Sequence, residues 1–184
     1  MRQELAEIMK SNGEYCKCIR CREIKDTVIN TEPILKITKY ESSNGTEIFL
    51  SYINIDVNED YKEKILAFGR LRLSKNPGID LSDQENKISA LSECALIREL
   101  HVYGNLISTF NKNSKESNSQ HKGLGKRLLK KMEELSICNG YTKIAVISGV
   151  GVRNYYKKHG YFLNSGYMIK DLLRESKSND NSLL

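Results

Sequence analysis

Three groups of residues in this 184-residue chain have types and spacings that can do chemistry. Cys16, Cys18 and Cys21 put three thiols within six residues. The chain has five cysteines, an odd number with three crowded together, which is a poor disulfide framework and a better metal or thiol cluster. Three soft ligands on a short loop suit zinc once a fourth ligand comes from elsewhere. Three reduced thiols are the competing reading. The second group is Gln120-His121-Lys122-Gly123-Leu124-Gly125. Its two glycines let the backbone approach a ligand closely. The start of a following helix then offers free N–H groups and a partial positive charge to a pyrophosphate. Lys126 and Arg127 add charge just inside. The pattern is not a Walker loop, because it has no G-x4-G-K-S/T. Nor is it a dinucleotide fingerprint, because it follows a long polar stretch instead of a tight strand–helix turn. A structural turn accounts for a lone G-x-G equally well. The third group is the tyrosine pair Tyr155-Tyr156, for which core packing is the plain alternative.

The charge points to the same region. The chain carries a net charge of +6 and a pI near 9.0. Between residues 121 and 160, nine lysines and arginines stand against two glutamates, so this segment holds the whole excess. A solvated helix face or an anionic partner explains it. No run approaches the roughly 18 apolar residues of a membrane helix, so no membrane partner is expected. The first ten residues lack a signal-peptide core, which makes the cytoplasm the expected address.

The elements that must position these groups can be read from periodicity. Leu5, Ile8 and Met9 predict a short helix over 2–10, stopped by Ser11-Asn12-Gly13. Strands are expected at 34–40, 46–53, 65–73 and 94–103. Asn44-Gly45 reads as the first hairpin turn and Gly69 as a bulge. Residues 54–64 and 74–92 read as loops, and 108–120 as a mobile loop by composition. A helix follows the glycines, with Leu124, Leu128, Leu129, Met132 and Leu135 as its apolar stripe and Asn139-Gly140 as its stop. The continuous apolar run 143–148 predicts a buried parallel strand. A second helix over 151–159 and a hairpin around Asn164-Ser165-Gly166 complete the pattern. Cys94 and Cys138 sit in apolar patterns and are expected in the core. The fold class is therefore a mixed α/β layer.

Two signatures in this order and spacing resemble those of GNAT superfamily acetyltransferases. Gln120–Gly125 matches Q/R-x-x-G-x-G/A, and Tyr155-Tyr156 before Gly160-Tyr161-Phe162 matches the second signature. The segments ALIRELHVYG (95–104), QHKGLGKRLL (120–129), KIAVISGVGVRNYYKKHGYF (143–162) and GYMIKDL (166–172) narrow it further. They closely resemble the acetyltransferase domain of Elongator catalytic subunits, over roughly residues 1–172.

The resemblance implies a GNAT-type, mostly antiparallel twisted sheet flanked by helices. It implies an N-terminal helix and cysteine-rich linker at 1–33 and the acetyltransferase domain at 34–173; the Asn/Ser-rich stretch at 174–184 departs from the family and is expected from its polar composition to be a disordered tail. The fourth and fifth strands are expected to splay and admit acetyl-CoA. Glu99, Leu100, His101 and Val102 would line the groove. Gln120, His121, Lys122, Gly123, Leu124, Gly125 and Lys126 would hold the pyrophosphate, with Tyr155 and Tyr156 beside the cofactor. Tyr156 takes the place of the proton donor to the departing thiolate. Glu99 and His101, two apart on one strand face, can each serve as base. Either can instead be structural, Glu99 by pairing with Arg98 or another arginine. The cysteines match clusters that some relatives carry between two domains. Lys17, Arg20, Arg22 and Lys25 around them can reach tRNA phosphates, a solvated loop being the competing reading.

The full family enzyme also carries a radical-SAM domain, holds an iron–sulfur cluster through C-x3-C-x2-C and modifies the wobble uridine of tRNA. This chain has C-x-C-x2-C and no stretch for that barrel, so no iron–sulfur cluster is expected in it. The expected function is thus an acetyl-CoA-binding domain serving carboxymethyl-type modification of uridine 34. Its expected partners are tRNA and a radical-SAM domain or other Elongator subunits. Lysine N-acetylation of a protein tail, and a non-catalytic tRNA- or Elongator-binding module, are the alternatives.

Overall fold

The computed structural model describes residues 2–24, 32–56, 62–74, 88–103 and 123–173. The expected loop at 108–120, the tail beyond Leu173, and Gln120, His121 and Lys122 lie outside these described residues.

Seven strands form one sheet: β1 (Ile34–Ser42), β2 (Gly45–Asp56), β3 (Lys62–Leu73), β4 (Cys94–Val102), β5 (Lys143–Ile147), β6 (Phe162–Asn164) and β7 (Tyr167–Asp171). Their order is β1-β2-β3-β4-β5-β7-β6. Every pairing is antiparallel except β4 with β5, which is parallel. Three helices accompany the sheet: α1 (Arg2–Ser11), α2 (Leu124–Cys138) and α3 (Arg153–Lys157). This is the expected mixed, mostly antiparallel sheet flanked by helices. Among the described residues no helix is long and apolar enough to cross a membrane.

α2 forms as its stripe predicts. Leu124, Leu128, Leu129 and Met132 are fully buried, in one cluster with Leu50, Leu71, Ile97, Ile144 and Met168. Each such side chain contributes about 1.5–3 kcal/mol by leaving water. Gly123, at φ 95°, supplies the left-handed residue that turns the chain into the helix. Asn139 closes it by donating its side-chain N–H to the Leu135 carbonyl at 2.7 Å.

The opposite face of the sheet carries the cysteine segment. A 3-10 turn at Ile19–Arg22 lays Ile19 against Ile53, Ile65 and Phe68. Glu23 bridges Ile65, and the Ile24 N–H donates to the Ile65 carbonyl at 3.2 Å.

Several expectations are corrected. The first hairpin turns on Ser43-Asn44, at φ 45° and 57°, while Gly45 is already in β2. A Cβ on Gly45 would sit 2.8 Å from the Leu73 carbonyl oxygen, so close strand approach requires that glycine. Gly69 is not a bulge. It lies under Met132, whose terminal atoms are 3.0 Å from where a Cβ would be. The bulges fall instead at Leu66 in β3 and Arg98 in β4, where the pairing skips one residue. Residues 54–64 are not all loop, because Asn54, Ile55 and Asp56 pair with Lys64, Glu63 and Lys62. Ladder hydrogen bonds belong to the backbone, so polar side chains do not forbid the pairing. The helix expected over 151–159 is a 3-10 turn at Val150–Val152 followed by α3. Cys94 is buried, but Cys138 is exposed at the last residue of α2.

Candidate functional site

β4 and β5 pair over Cys94–Ile97 against Lys143–Val146 and no further. From Arg98 onward β4 keeps only β3 as a neighbour. The bulged Arg98 marks the parting, and a bulge bends its strand and increases the local twist. The far edge of Glu99–Val102 therefore has no strand partner among the described residues. Unpaired backbone edges of this kind can bond the amides of an extended ligand.

The glycine loop meets this parting. A Cβ on Gly125 would lie 3.2 Å from the Tyr155 phenol oxygen and 3.2 Å from Val102 Cγ2. One glycine thus joins the start of α2, the end of β4 and α3. Around Gly123 a Cβ would meet nothing within 4 Å among the described residues. The free N–H groups at the start of α2 face this junction, where an anionic group finds the positive end of the helix. Arg127 does not share that task. It bonds Glu32 at 2.9 Å and stands over the Tyr52 ring at 4.7 Å.

The two tyrosines differ. Tyr155 is 36% exposed and Tyr156 only 6%. Their rings meet edge-on at 5.3 Å, and Tyr156 continues to Tyr161 at 5.7 Å. Tyr156 belongs to the core cluster that contains Ile97 and Val146, the last paired residues of the two strands. Burial pushes the Tyr156 phenol up to about 12, with the neighbouring Tyr155 adding to it. Burial, then the negative charge of Glu133, raises Tyr155 as well. Both hold their protons at neutral pH.

Glu99 and His101 share one face, as expected. Glu99 pairs with Arg70 across the strands, its carboxylate 3.5 Å from the guanidinium. His101 stacks on Phe68 at 5.7 Å and meets Tyr103 edge-on at 4.5 Å. Phe68 packs against Ile19, so this face is the one that carries the cysteine segment. Leu100 packs into the α2-side core instead, and Val102 faces Gly125.

Sequence reasoning missed the support behind this strand. Glu47, with a side chain only 3% exposed, accepts from Arg72 at 3.1 Å and from Arg98 at 2.8 Å. Arg72 also donates to the Ser42 and Ser43 carbonyls of the first hairpin. The partner of Glu99 is therefore Arg70, and that of Arg98 is Glu47. An exposed-looking glutamate in TEIFL carried no sign of this, because the contact depends on register across three strands.

The sulfurs of Cys16, Cys18 and Cys21 all lie within 4.8 Å of one another. In a tetrahedral zinc site with Zn–S of about 2.3 Å, sulfurs stand roughly 3.8 Å apart, so the three thiols fit three corners. Cys18 is pushed down to about 7, chiefly by the backbone N–H of Cys21 and then by the Cys16 and Cys21 thiols. The backbone N–H of Cys18 favours the Cys16 thiolate, but the neighbouring sulfurs outweigh it and Cys16 is raised. Glu63 secures the segment to the sheet. It bonds Arg22 at 3.1 Å and also Lys36.

No family model matches the chain. It is similar to a tRNA uridine(34) acetyltransferase of Dehalococcoides mccartyi, with 37% identity over 94% of this chain and 36% of that protein. The enzyme of the same name from Methanocaldococcus jannaschii is 40% identical over 89% of this chain and 29% of its own length. Elongator complex protein 3 of Drosophila melanogaster is 37% identical over 89% of this chain and 28% of its length. The solved archaeal Methanocaldococcus infernus Elp3 with an N-terminal deletion superposes with a TM-score of 0.66 at 34% identity, over 92% of this chain and 38% of that one. The chain spans about a third of the length of the relatives it matches.

Proposed function

We propose that this chain, homologous to one segment of the tRNA uridine(34) acetyltransferase and Elongator complex protein 3 family, is an acetyl-CoA-binding acyltransferase domain. It serves carboxymethyl-type modification of the wobble uridine in cytoplasmic tRNA. The observation that carries this reading is Gly125, packed against Tyr155 and Val102 where β4 leaves β5.

The start of α2 binds the pyrophosphate through the N–H groups after Gly123, and Lys126 adds charge. Gln120, His121 and Lys122 complete that loop in the family pattern. The free edge of Glu99–Val102 takes the amides of the pantetheine arm, which brings the thioester toward the apex between Ile97 and Val146. Tyr155 stands at the phosphate end. Tyr156 lies one ring deeper and is the proton donor to the departing sulfur. Its raised pKa keeps it in the protonated form that this role needs. Glu99 and His101 face the acceptor side, where either can take a proton from an attacking group. The cysteine cluster would hold zinc as a structural clasp. The chain's own share is to bind and present the acetyl group. Radical chemistry at the base belongs to a radical-SAM domain, and other Elongator subunits are the remaining expected partners.

The test is calorimetry with acetyl-CoA or a non-hydrolysable thioether analogue. Binding in the micromolar range is expected. A folded chain that binds neither at millimolar concentration would refute the assignment.

A further inference from the structure

β1 is an outer strand of the sheet. Among the described residues only β2 pairs with it, so its other edge carries free N–H and C=O groups. Which residues own them follows from the hairpin. The turn on Ser43-Asn44 leaves Ser42 opposite Gly45, and the pair that flanks a two-residue turn exchanges both ladder bonds. Bonded and non-bonded pairs then alternate along the strand. By that alternation Tyr40, Thr38 and Lys36 bond β2, while Glu41, Lys39, Ile37 and Leu35 aim their backbone groups off the sheet.

An open edge invites another strand, and proteins guard such edges with charge, proline or a bulge. β1 is weakly guarded. It runs for nine residues without a proline, and its pairing with β2 has no bulge. Ile37 is 43% exposed and Tyr40 46%. Of its two lysines, Lys36 is already paired with Glu63. Lys39 has no ion-pair partner among the described residues, and neither has Glu41 two positions on.

This edge is complementary to itself. A two-fold axis normal to the sheet sets two copies of β1 antiparallel and keeps each face on its own side, so residues of like parity come opposite each other. With Tyr40 on the axis, Lys39 of each copy stands opposite Glu41 of the other, and these are residues that own outward backbone groups. Thr38 then falls opposite Ser42, and the two Tyr40 side chains meet on the other face. Opposite charges and aromatic pairs both favour a cross-strand register. With Lys39 on the axis, two ammonium groups would face each other. With Thr38 on the axis, Glu41 would face Leu35 and Lys39 would face Ile37.

We propose that the β1 edge is the docking surface for a second copy of this chain, joined in the register that sets Lys39 opposite Glu41. β1 lies at the far end of its leaf from the β4–β5 seam, so the cleft stays open in each copy. The proposal does not depend on what that cleft binds.

Sedimentation velocity on the whole chain, from micromolar to near-millimolar concentration, tests this. A reversible dimer that weakens as salt rises is expected. Lys39→Glu and Glu41→Lys should each weaken it by about tenfold or more, because the symmetry turns two attractive pairs into two repulsive ones. The two changes together restore opposite charges and should bring the affinity back to within about threefold of wild type. Both side chains are exposed, so the variants should keep the fold, which circular dichroism checks. Lys39→Pro removes an N–H that faces away from β2, so it should leave the hairpin folded and abolish the dimer. A chain that stays monomeric throughout overturns the proposal. So does a dimer that ignores the single changes or the proline, since it would use another face. A folded double variant as weak as the single ones refutes the register and the proposal with it.

Discussion

Arg98 donates to Glu47 at 2.8 Å across an intervening strand. Arg98 is the extra residue of the β4 bulge, and Glu47 lies in β2, two strands away. The bulge where β4 leaves β5 is therefore tied to the first hairpin through Glu47 and Arg72. Changing Glu47 to Gln leaves two guanidinium groups facing a neutral side chain. Breaking a buried pair from one side costs about 3–5 kcal/mol, and the half-exposed Arg98 lowers that to roughly 2–4 kcal/mol. Urea unfolding should show this loss. Acetyl-CoA affinity, measured where the variant is still folded, should fall as well. An unchanged affinity would mean that the bulge holds its shape without Glu47.

The two tyrosines should separate in kinetics. Tyr156→Phe is expected to lower acyl transfer or thioester hydrolysis by about 10²–10⁴-fold with little change in binding. Tyr155→Phe should act mainly on affinity, since its phenol stands at the glycine loop. Single-turnover assays over a range of acetyl-CoA concentrations distinguish the two, and the reverse assignment would exchange their proposed roles.

Gly125→Ala places a methyl group 3.2 Å from both the Tyr155 oxygen and Val102 Cγ2. The helix gains a better former, so thermal stability should change little. Acetyl-CoA binding should drop at least tenfold. A variant that binds as tightly as wild type would show that the backbone there does not approach the ligand.

Cys18 sets the chemistry of the cysteine segment. With its thiol at about 7, the thiolate fraction rises as pH passes upward through that value. An ordinary thiol reaches the same point near pH 8.5. In chelator-treated protein, iodoacetamide should label Cys18 with a midpoint near pH 7. Added zinc should bind at one ion per chain and suppress the labelling. Labelling that ignores zinc would leave three reduced thiols as the reading.

Glu63 gives the segment an acid-dependent hold. The hydrogen bond from Lys36 is the main cause of its lowered pKa, partly opposed by burial and then assisted by Arg22. A carboxylate lowered in this way stabilises the folded state above its unfolded pKa, about 4.3, and loses that effect as pH falls through the lower folded value. Protection against hydrogen exchange across residues 19–24, taken relative to the intrinsic rate at each pH, should therefore fall between pH 5 and pH 3, ahead of that of the α2 amides. Glu63→Gln should show the faster exchange already at pH 6.

Much of this was legible from side-chain patterns. The α2 stripe and the apolar run of β5 are one-dimensional signals of 3.6-residue period and of burial on both faces, and both elements formed. The order of the glycine loop and the tyrosine pair was equally readable. What could not be read depends on partners far away in the chain. Gly45 and Gly69 look like turn and bulge residues, yet each is required by an atom that approaches from another element, Leu73 or Met132. The bulge at Arg98 is a matter of register, which leaves no compositional trace. Arg127 reads from the sequence as charge just inside the helix, and its engagement with Glu32 and Tyr52 depends on residues far away in the chain. Glu99 and His101 were correctly placed on one face, but their separation from Leu100 and Val102 by the sheet itself emerges only with the layers.

The single parallel seam has a mechanical meaning. β1–β4 form one leaf and β5, β7 and β6 the other, and among the described residues only four residue pairs stitch the two leaves together. A molecule lying along the unstitched part of β4 would act as a missing rung between them. Ligand binding should then stiffen the spring between the leaves as well as fill space, and the seam should melt at a lower temperature when the cleft is empty.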